Sequence, residues 1–485
     1  MNKLNITGKQ LRTIGYPEGA VISIAMQTIN THYKHTLVAD AFVILTNILA
    51  KPEDYLQHEI LHTIAKQLVV QVAEEKMAIP LLATGIPYQI YGAEHIEAGA
   101  LAQMEIASKL PVAVAGALMP DAHQGYGLPI GGVLATNNAI IPYAVGVDIG
   151  CRMCLSVFAI PAAELKSKLE YYQKVLVSHT LFGTGKDFTS RQLRHLKTED
   201  AVLDSPLFNE INMLKPLQQK AANQLGSSGS GNHFVEFGEV QITEQDAIWN
   251  VPPGNYVGLL SHSGSRGLGA TIANHYTKLA TAITVLPQEA KHLAWLNMDT
   301  QEGMEYWLAM NLAGGYASAC HHAIHKHIAT ALCMQPISMV ENHHNFAWKE
   351  MLHGQEVIVH RKGATPAGKN VLGIIPGSMM AAGYIAKGKG NAAALQSASH
   401  GAGRAMSRTK ALANITKPML ANTLAEHGVT LIGAGLDEAP MAYKDIETVM
   451  QSQTELVDVI GKFVPKIVQM DGGDVSRQRD RYRKN

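Results

Sequence analysis

From Pro111 onward the chain alternates short apolar runs with glycine-rich polar segments, and six of these segments carry a histidine. His123 lies in MPDAHQGYGLPIGG, His233 in GSSGSGNHFVEFGEV, His262 in LLSHSGSRGLG, His344 in ENHHNFAWKE, His360 in VIVHRKGATPAG and His400 in SASHGAGRAMSR. Runs of this length suit buried strands, and Gly beside His lets backbone approach a bound group and offer it amide donors. No fixed period relates the segments, which excludes a repeat array. A single histidine in such a loop is ordinarily a turn residue with its hydrogen bonds satisfied. Six in one chain point instead to a shared metal or acid–base centre.

Residues 139–154, AIIPYAVGVDIGCRMC, read as a strand that ends in two potential metal ligands, Asp148 and Cys151. Cys151 and Cys154 have C-x-x-C spacing, but no second such pair exists to close a zinc knuckle. Cys320, His321, His322, His325 and His327 fall in a helical pattern over residues 306–331. There His321 and His325 share one face, which reads as a polar or groove-lining face rather than a metal site. GSSGSG at 226–231 resembles a phosphate cradle yet lacks the Lys-Ser/Thr ending of a nucleotide P-loop. A thiolate among imidazoles and a carboxylate selects Mn, Fe, Co or Zn over Mg or Ca, because hard cations avoid sulfur.

Composition narrows the class. Hydrophobic residues are 47% and charged residues 16% of the 485, which excludes a disordered or coiled-coil chain. Lys plus Arg equals Asp plus Glu at 40 each, so any polyanion site is a local patch. Four cysteines are too few for a disulfide framework, the N-terminus lacks a signal-peptide core and no apolar run is long enough for a membrane span, so a cytoplasmic setting is expected. Leu56, Ile60, Ile64, Leu68 and Val72 recur every four residues after Pro52 and predict a helix over 53–76, closing an N-terminal helical extension over 1–80. A second helix is expected over 96–110, and a basic tail over 473–485, rich in Arg, reads as a solvated terminus.

The segments MPDAHQGYGLPIGG, IIPYAVGVDIGC, GSGNHFVEFG, HSGSRGLG, HHNFAWKE, HRKGA, IIPGSM, SHGAGRAMSR and EAPMAYKD resemble, in order, the motifs of the RtcB-type RNA-splicing ligases. The resemblance implies an α/β (α+β) fold: one large catalytic domain over 81–472 with a deep, metal-containing cleft. It implies an enzyme that joins an RNA 3′-phosphate or 2′,3′-cyclic phosphate to a 5′-hydroxyl, with GTP and two Mn²⁺ as cofactors. The partners would be GTP and RNA carrying such ends, with no membrane; an activating protein is left open. By the same resemblance Cys151 bridges both metals, His262 and His344 complete one site, and Asp148 and His233 the other. His343 would stand behind His344. His400 would be the nucleophile that carries GMP, with Gly401, Ala402 and Gly403 offering amides to phosphate. Asn232, Phe234, Glu236, Ser378, Ala402, Gly403 and Tyr443 would contact guanylate, Arg361 and Lys362 would lie near phosphates, and Arg266 and Arg404 would meet RNA.

Two departures stand out. Asp471 occupies the place of the family's guanine-reading lysine, and Arg152 follows the DIGC cysteine where the family usually has Gly, which suggests a narrowed cleft or a phosphate contact. A second functional reading is a relative that keeps the metals without ligation, a metal-dependent phosphohydrolase or an RNA-end-binding protein. Retention of His400 favours the ligase.

Overall fold

The computed structural model describes residues 4, 6–17, 19–72, 77–191 and 193–472, so the basic tail lies outside the described residues. The chain divides into two compact units, Met1–Ala78 and Ile79–Asn485. The first packs helices α1 (Gly8–Thr13), α2 (Ala20–His32), α3 (Val38–Ala50) and α4 (His62–Val72) around its own core, which includes Ile6, Leu11, Ile29, Leu45, Ile64 and Leu68. The helix expected over 53–76 is shorter. Pro52–Tyr55 forms one 3₁₀ turn, and the His58 ring nitrogen then accepts from the Ile60 and Leu61 amides at 3.2 and 3.3 Å, capping a new start at His62. Residues 73–76 of that expectation lie outside the described residues.

The second unit is a mixed helix and sheet fold. Its strands run β1 (Tyr88–Ile90), β2 (Ala113–His123), β3 (Ile130–Thr136), β4 (Arg152–Pro161), β5 (Phe234–Ile242), β6 (Gly254–Ser263), β7 (Pro336–His343), β8 (Asn345–Leu352), β9 (Gln355–Lys362), β10 (Leu372–Ile375), β11 (Gly383–Gly388) and β12 (Val457–Met470). One sheet has the order β1-β2-β3-β9-β8; the other runs β10-β11-β12-β5-β6-β4-β7, with Thr430–Ile432 beside β12. The helices that matter for the site are α5 (Ala98–Ser108), within the span expected, α6 (Arg266–Ile283) and the long α7 (Gln301–Ala331).

Strand β4 shows how sequence becomes layer. Side chains alternate along a strand, so Met153, Leu155 and Val157 enter a core with Val340, Ile374, Ile385 and Phe463. Phe158 and Ile160 belong to a second core that includes Ile324 and Ile328 of α7. Both faces of the strand are therefore buried, which is why this segment reads as an almost unbroken apolar run. Among the described residues no helix is long and apolar enough to cross a membrane.

Candidate active site

The stretch 139–154 folds differently from the strand expected of it. Pro142 opens a single helical turn, Pro142–Val145, and Gly146 ends it at a φ of 100°. Asp148 and Cys151 sit in the following bend, and the strand begins only at Arg152. The two ligand candidates thus precede β4, held by hydrogen bonds from the Gly150 amide to the Asn345 carbonyl (2.8 Å) and from the His344 amide to the Cys151 carbonyl (3.0 Å). Asn345 links a third segment, since its side-chain oxygen accepts from the Gly363 amide at 2.9 Å.

Period-two alternation then sorts the neighbouring side chains. Phe234 of β5 pairs in register with His262 of β6, and both line one cavity, whereas Ser261 and Ser263 pair with Cys154 and Arg152 on the opposite face, toward α7. His343 pairs with Arg152 and packs its ring between Phe346 and Trp348; His344, one residue on, turns into the cavity. Alternation decides which of the two adjacent histidines faces the site.

In the cavity Cys151 Sγ lies 3.2 Å from His262 Nε2 and 3.5 Å from His233 Nε2. His262 Nε2 and His344 Nε2 are 3.2 Å apart, and His233 Nε2 is 2.8 Å from Asp148 Oδ2. Two trios result, Cys151–His262–His344 and Asp148–Cys151–His233, sharing the thiol. Tetrahedral sites with bonds of about 2.0–2.3 Å have ligand atoms roughly 3.3–3.7 Å apart; the contacts at 3.2–3.5 Å come close to this, while the 2.8 Å His233–Asp148 contact is a hydrogen bond that an ion would have to open. The chemistry fits as well. His262 Nδ1 faces the Asn232 carbonyl at 2.9 Å, which puts its proton there and leaves the Nε2 lone pair toward the thiol. Burial above all pulls His262 down to about 3 and His344 well below the ordinary imidazole range, so both are neutral. Burial, followed by the Asp148 charge, pushes the Cys151 thiol well up, so a thiolate there requires a cation. Burial works to raise the Asp148 carboxyl as well, but His233 outweighs it and holds Asp148 below its usual value.

The Gly-rich loops make room for these side chains. A Cβ at Gly264 would overlap the Asp148 carboxylate, and one at Gly229, inside GSSGSG, would overlap the His233 ring. Gly229 does not itself line the cavity, so in this loop the glycine admits an imidazole rather than a phosphate.

His400 enters the same cavity of about 730 Å³, which lies between the two sheets. Its Nδ1 is 2.6 Å from Asp121 Oδ2, and its backbone amide donates to that same oxygen at 3.1 Å. Asp121 is fully buried near the end of β2. Burial would raise its carboxyl, but His400, His123 and Lys444 hold it below its ordinary value, so it is a carboxylate. A carboxylate on Nδ1 fixes the tautomer and turns the Nε2 lone pair outward. The His344 and His400 ring centroids are 4.9 Å apart.

Asn232, Phe234, Glu236, Ser378, Ala402, Gly403 and Tyr443 all line this one cavity. Several other expectations are corrected. Arg361 is buried away from it, stacked on Trp348 at 4.6 Å and paired with Glu350 at 2.6 Å; only Lys362 of that basic pair lines the cavity. Arg266 donates to the Gly183 carbonyl (2.8 Å) and Ser227 Oγ (3.1 Å) behind the cavity wall. Arg404 does line the cavity, yet its guanidinium is committed to Glu438 at 3.2 Å and the Asp437 carbonyl at 2.7 Å. The Ala402 amide is not free for a phosphate, because it donates to the Pro376 carbonyl at 3.0 Å. Asp471 does not line the cavity, whereas Met470 does. Arg152 neither narrows the cavity nor faces it: being on the α7 face of β4, it pairs with Glu341 at 2.9 Å and donates to the Gly314 carbonyl at 3.4 Å. His360 is a structural histidine, its ring nitrogens engaged by the Ile141 amide at 2.9 Å and the Leu134 carbonyl at 3.2 Å. His321 and His325 are internal rather than groove-lining. Near Cys154, their ring nitrogens meet Ser156, Ser261 and the Ser263 carbonyl at 2.6–3.1 Å.

Sequence reasoning missed Asp121, Lys444 and the pair Asp437–Glu438. Asp121, Glu438 and Lys444 lay inside the segments MPDAHQGYGLPIGG and EAPMAYKD, with Asp437 just before the second, and only the folded contacts reveal their parts.

The fold and site together define a mixed helix and sheet protein whose inter-sheet cavity holds an Asp/Cys/His cluster that could ligate metal at two centres, beside a carboxylate-oriented histidine. The chain belongs to the tRNA-splicing ligase RtcB family, whose model matches residues 103–471. It is 34% identical over 390 residues to the RNA-splicing ligase RtcB of Escherichia coli K12, covering 75% of this chain and 92% of that protein. It is 30% identical to the tRNA-splicing ligases RtcB of Thermococcus kodakarensis (69% of this chain, 82% of the relative) and Nanoarchaeum equitans (79% and 95%).

Proposed function

We propose that this chain is an RNA ligase that joins an RNA 3′-phosphate or 2′,3′-cyclic phosphate end to a 5′-hydroxyl end, using GTP and two Mn²⁺. The relatives' names support RNA splicing and ligation. The observation that carries the chemistry is the contact between Asp121 and His400, which holds the proton on Nδ1 and directs Nε2 away from its anchor.

In this reading Cys151, His262 and His344 hold one ion and Asp148, Cys151 and His233 the other. Bound there, the ions would neutralise phosphate charge and make the phosphorus more electrophilic. His400 Nε2 attacks the α-phosphorus of GTP and pyrophosphate leaves. Asp121 keeps the proton on Nδ1 and stabilises the charge that develops on the ring. An oxygen of the RNA 3′-phosphate then takes GMP from His400, a cyclic phosphate having first been opened by water. Finally the 5′-hydroxyl attacks the RNA phosphorus and GMP departs. Glu236, buried in the cavity wall, and Tyr443, whose hydroxyl donates to Glu438, would frame the guanine. Burial raises the Glu236 carboxyl well above its ordinary value, so it is neutral until a donor reaches it.

A stem-loop RNA cut to leave a 2′,3′-cyclic phosphate and a 5′-hydroxyl tests the reading. With GTP and Mn²⁺ the protein should reseal it. Cleavage of the cyclic phosphate without resealing would favour a phosphohydrolase instead.

A further inference from the structure

At the rim of the cavity stands an aromatic group that the proposed chemistry does not use. Tyr126, in the GYG turn of the first histidine segment, lines the cavity and is 59% exposed. Behind it Tyr143 and His292 stack with centroids 5.2 Å apart and planes at 26°. Tyr126 stands nearly perpendicular to that pair, at 6.3 Å and 75° from Tyr143 and at 5.7 Å and 70° from His292. The group is rigidly held. Gly127 has a φ of 68°, and a Cβ there would press on the His292 carbonyl, so the turn is packed directly against this support. A buried lysine braces the turn: Lys362 Nζ donates to the Tyr126 carbonyl at 2.5 Å and lies 4.9 Å from the Tyr143 ring centroid, and burial pulls it down to about 7.

An exposed, braced aromatic ring beside a lysine, opening into a cavity built for phosphate chemistry, has the two parts that single-stranded RNA requires. The ring offers a face to an unpaired base of any identity, and a backbone phosphate entering the cavity would restore the full charge of the buried Lys362 that lines it. We propose that Tyr126, braced by Tyr143 and His292, is a stacking platform for the terminal base of an RNA strand entering the cavity. This rests on the RNA-ligase reading above and extends it to how the strand is held. The ring makes the contact and the hydroxyl is dispensable. Recognition is therefore by unpaired strand and not by base sequence.

The test uses the full-length chain and two single-stranded RNA hexamers, one with 2-aminopurine at the 3′-phosphate end and one with it at the 5′-hydroxyl end. Stacking on Tyr126 should quench at least one probe on binding. Y126A should abolish that quench and weaken binding about tenfold, while Y126F and Y126W retain both. Quenching by Y126A equal to that of the unaltered protein would overturn the platform, as would a Y126F defect as deep as that of Y126A. So would failure of the unaltered protein to bind either hexamer. Labelling of the unaltered protein by radioactive GTP without RNA is read separately: its failure sinks the ligase chemistry, while the quench still judges the platform.

Discussion

At the residue scale the site depends on which ring nitrogen carries the proton. Asp121 contributes an anionic acceptor that also takes the His400 backbone amide, so a single carboxylate oxygen fixes both the ring and the segment that bears it. Asp121→Asn keeps the shape but can present an N–H where the His400 proton must go. We expect it to slow formation of the GMP adduct by roughly 10²–10⁴-fold without unfolding the chain, since a wrong-tautomer defect of that size follows loss of such an acceptor. Single-turnover labelling with GTP checks this, and an unchanged rate would remove Asp121 from the account. The residue types of the site were readable in the chain as Asp, Cys and His beside Gly. Their partners were not, because an aspartate in PDAH and a lysine in YKD are 323 positions apart in sequence, residues 121 and 444, and only the fold brings Lys444 to donate to the carbonyls flanking Asp121.

At the element scale the governing rule is alternation along β4, β5, β6 and β7. It sends His262 and His344 to the cavity and Ser261, Cys154 and Arg152 to α7. That rule was available from sequence, but its phase was not. The apolar stretch before Asp148 was read as a strand, whereas Pro142 starts a helical turn and Gly146 breaks it, so β4 begins only at Arg152, after Asp148 and Cys151 rather than before them. The phase matters most for Arg152. Its guanidinium is buried, and Glu341 answers it while also meeting His322 at 3.3 Å. Burial works to raise the Glu341 carboxyl, but His322 and Arg152 outweigh it and hold it at about 2. A depressed carboxylate stabilises the fold above its ordinary value of 4.5, and this contribution is lost as pH falls from about 4.5 through about 2. Glu341→Gln should therefore cost about 2 kcal/mol near neutral pH, below the ~3–5 kcal/mol of a fully buried pair because Glu341 is 33% exposed. In denaturant titrations the gap between the two proteins should narrow as pH drops below 4.5; a gap constant to pH 3 would contradict the pairing.

At the scale of the whole molecule the residues that line the cavity run from Glu97 to Met470, all within the unit Ile79–Asn485. The helical unit before it has a separate core. A chain beginning at Ile79 should then fold cooperatively and keep GTP-dependent labelling within about twofold, whereas loss of labelling in a folded fragment would give the helical unit a part in the chemistry. The mixed fold and the cavity were foreshadowed by the run of Gly/His segments, since each segment sits at a strand end or beside one. The central claim is that His400 carries GMP. Incubating the protein with α-labelled GTP and Mn²⁺, then mapping the label, tests it most directly: an acid-labile adduct on His400, absent from His400→Ala, is the predicted result. No adduct on the unaltered protein, or one that survives His400→Ala, would contradict it.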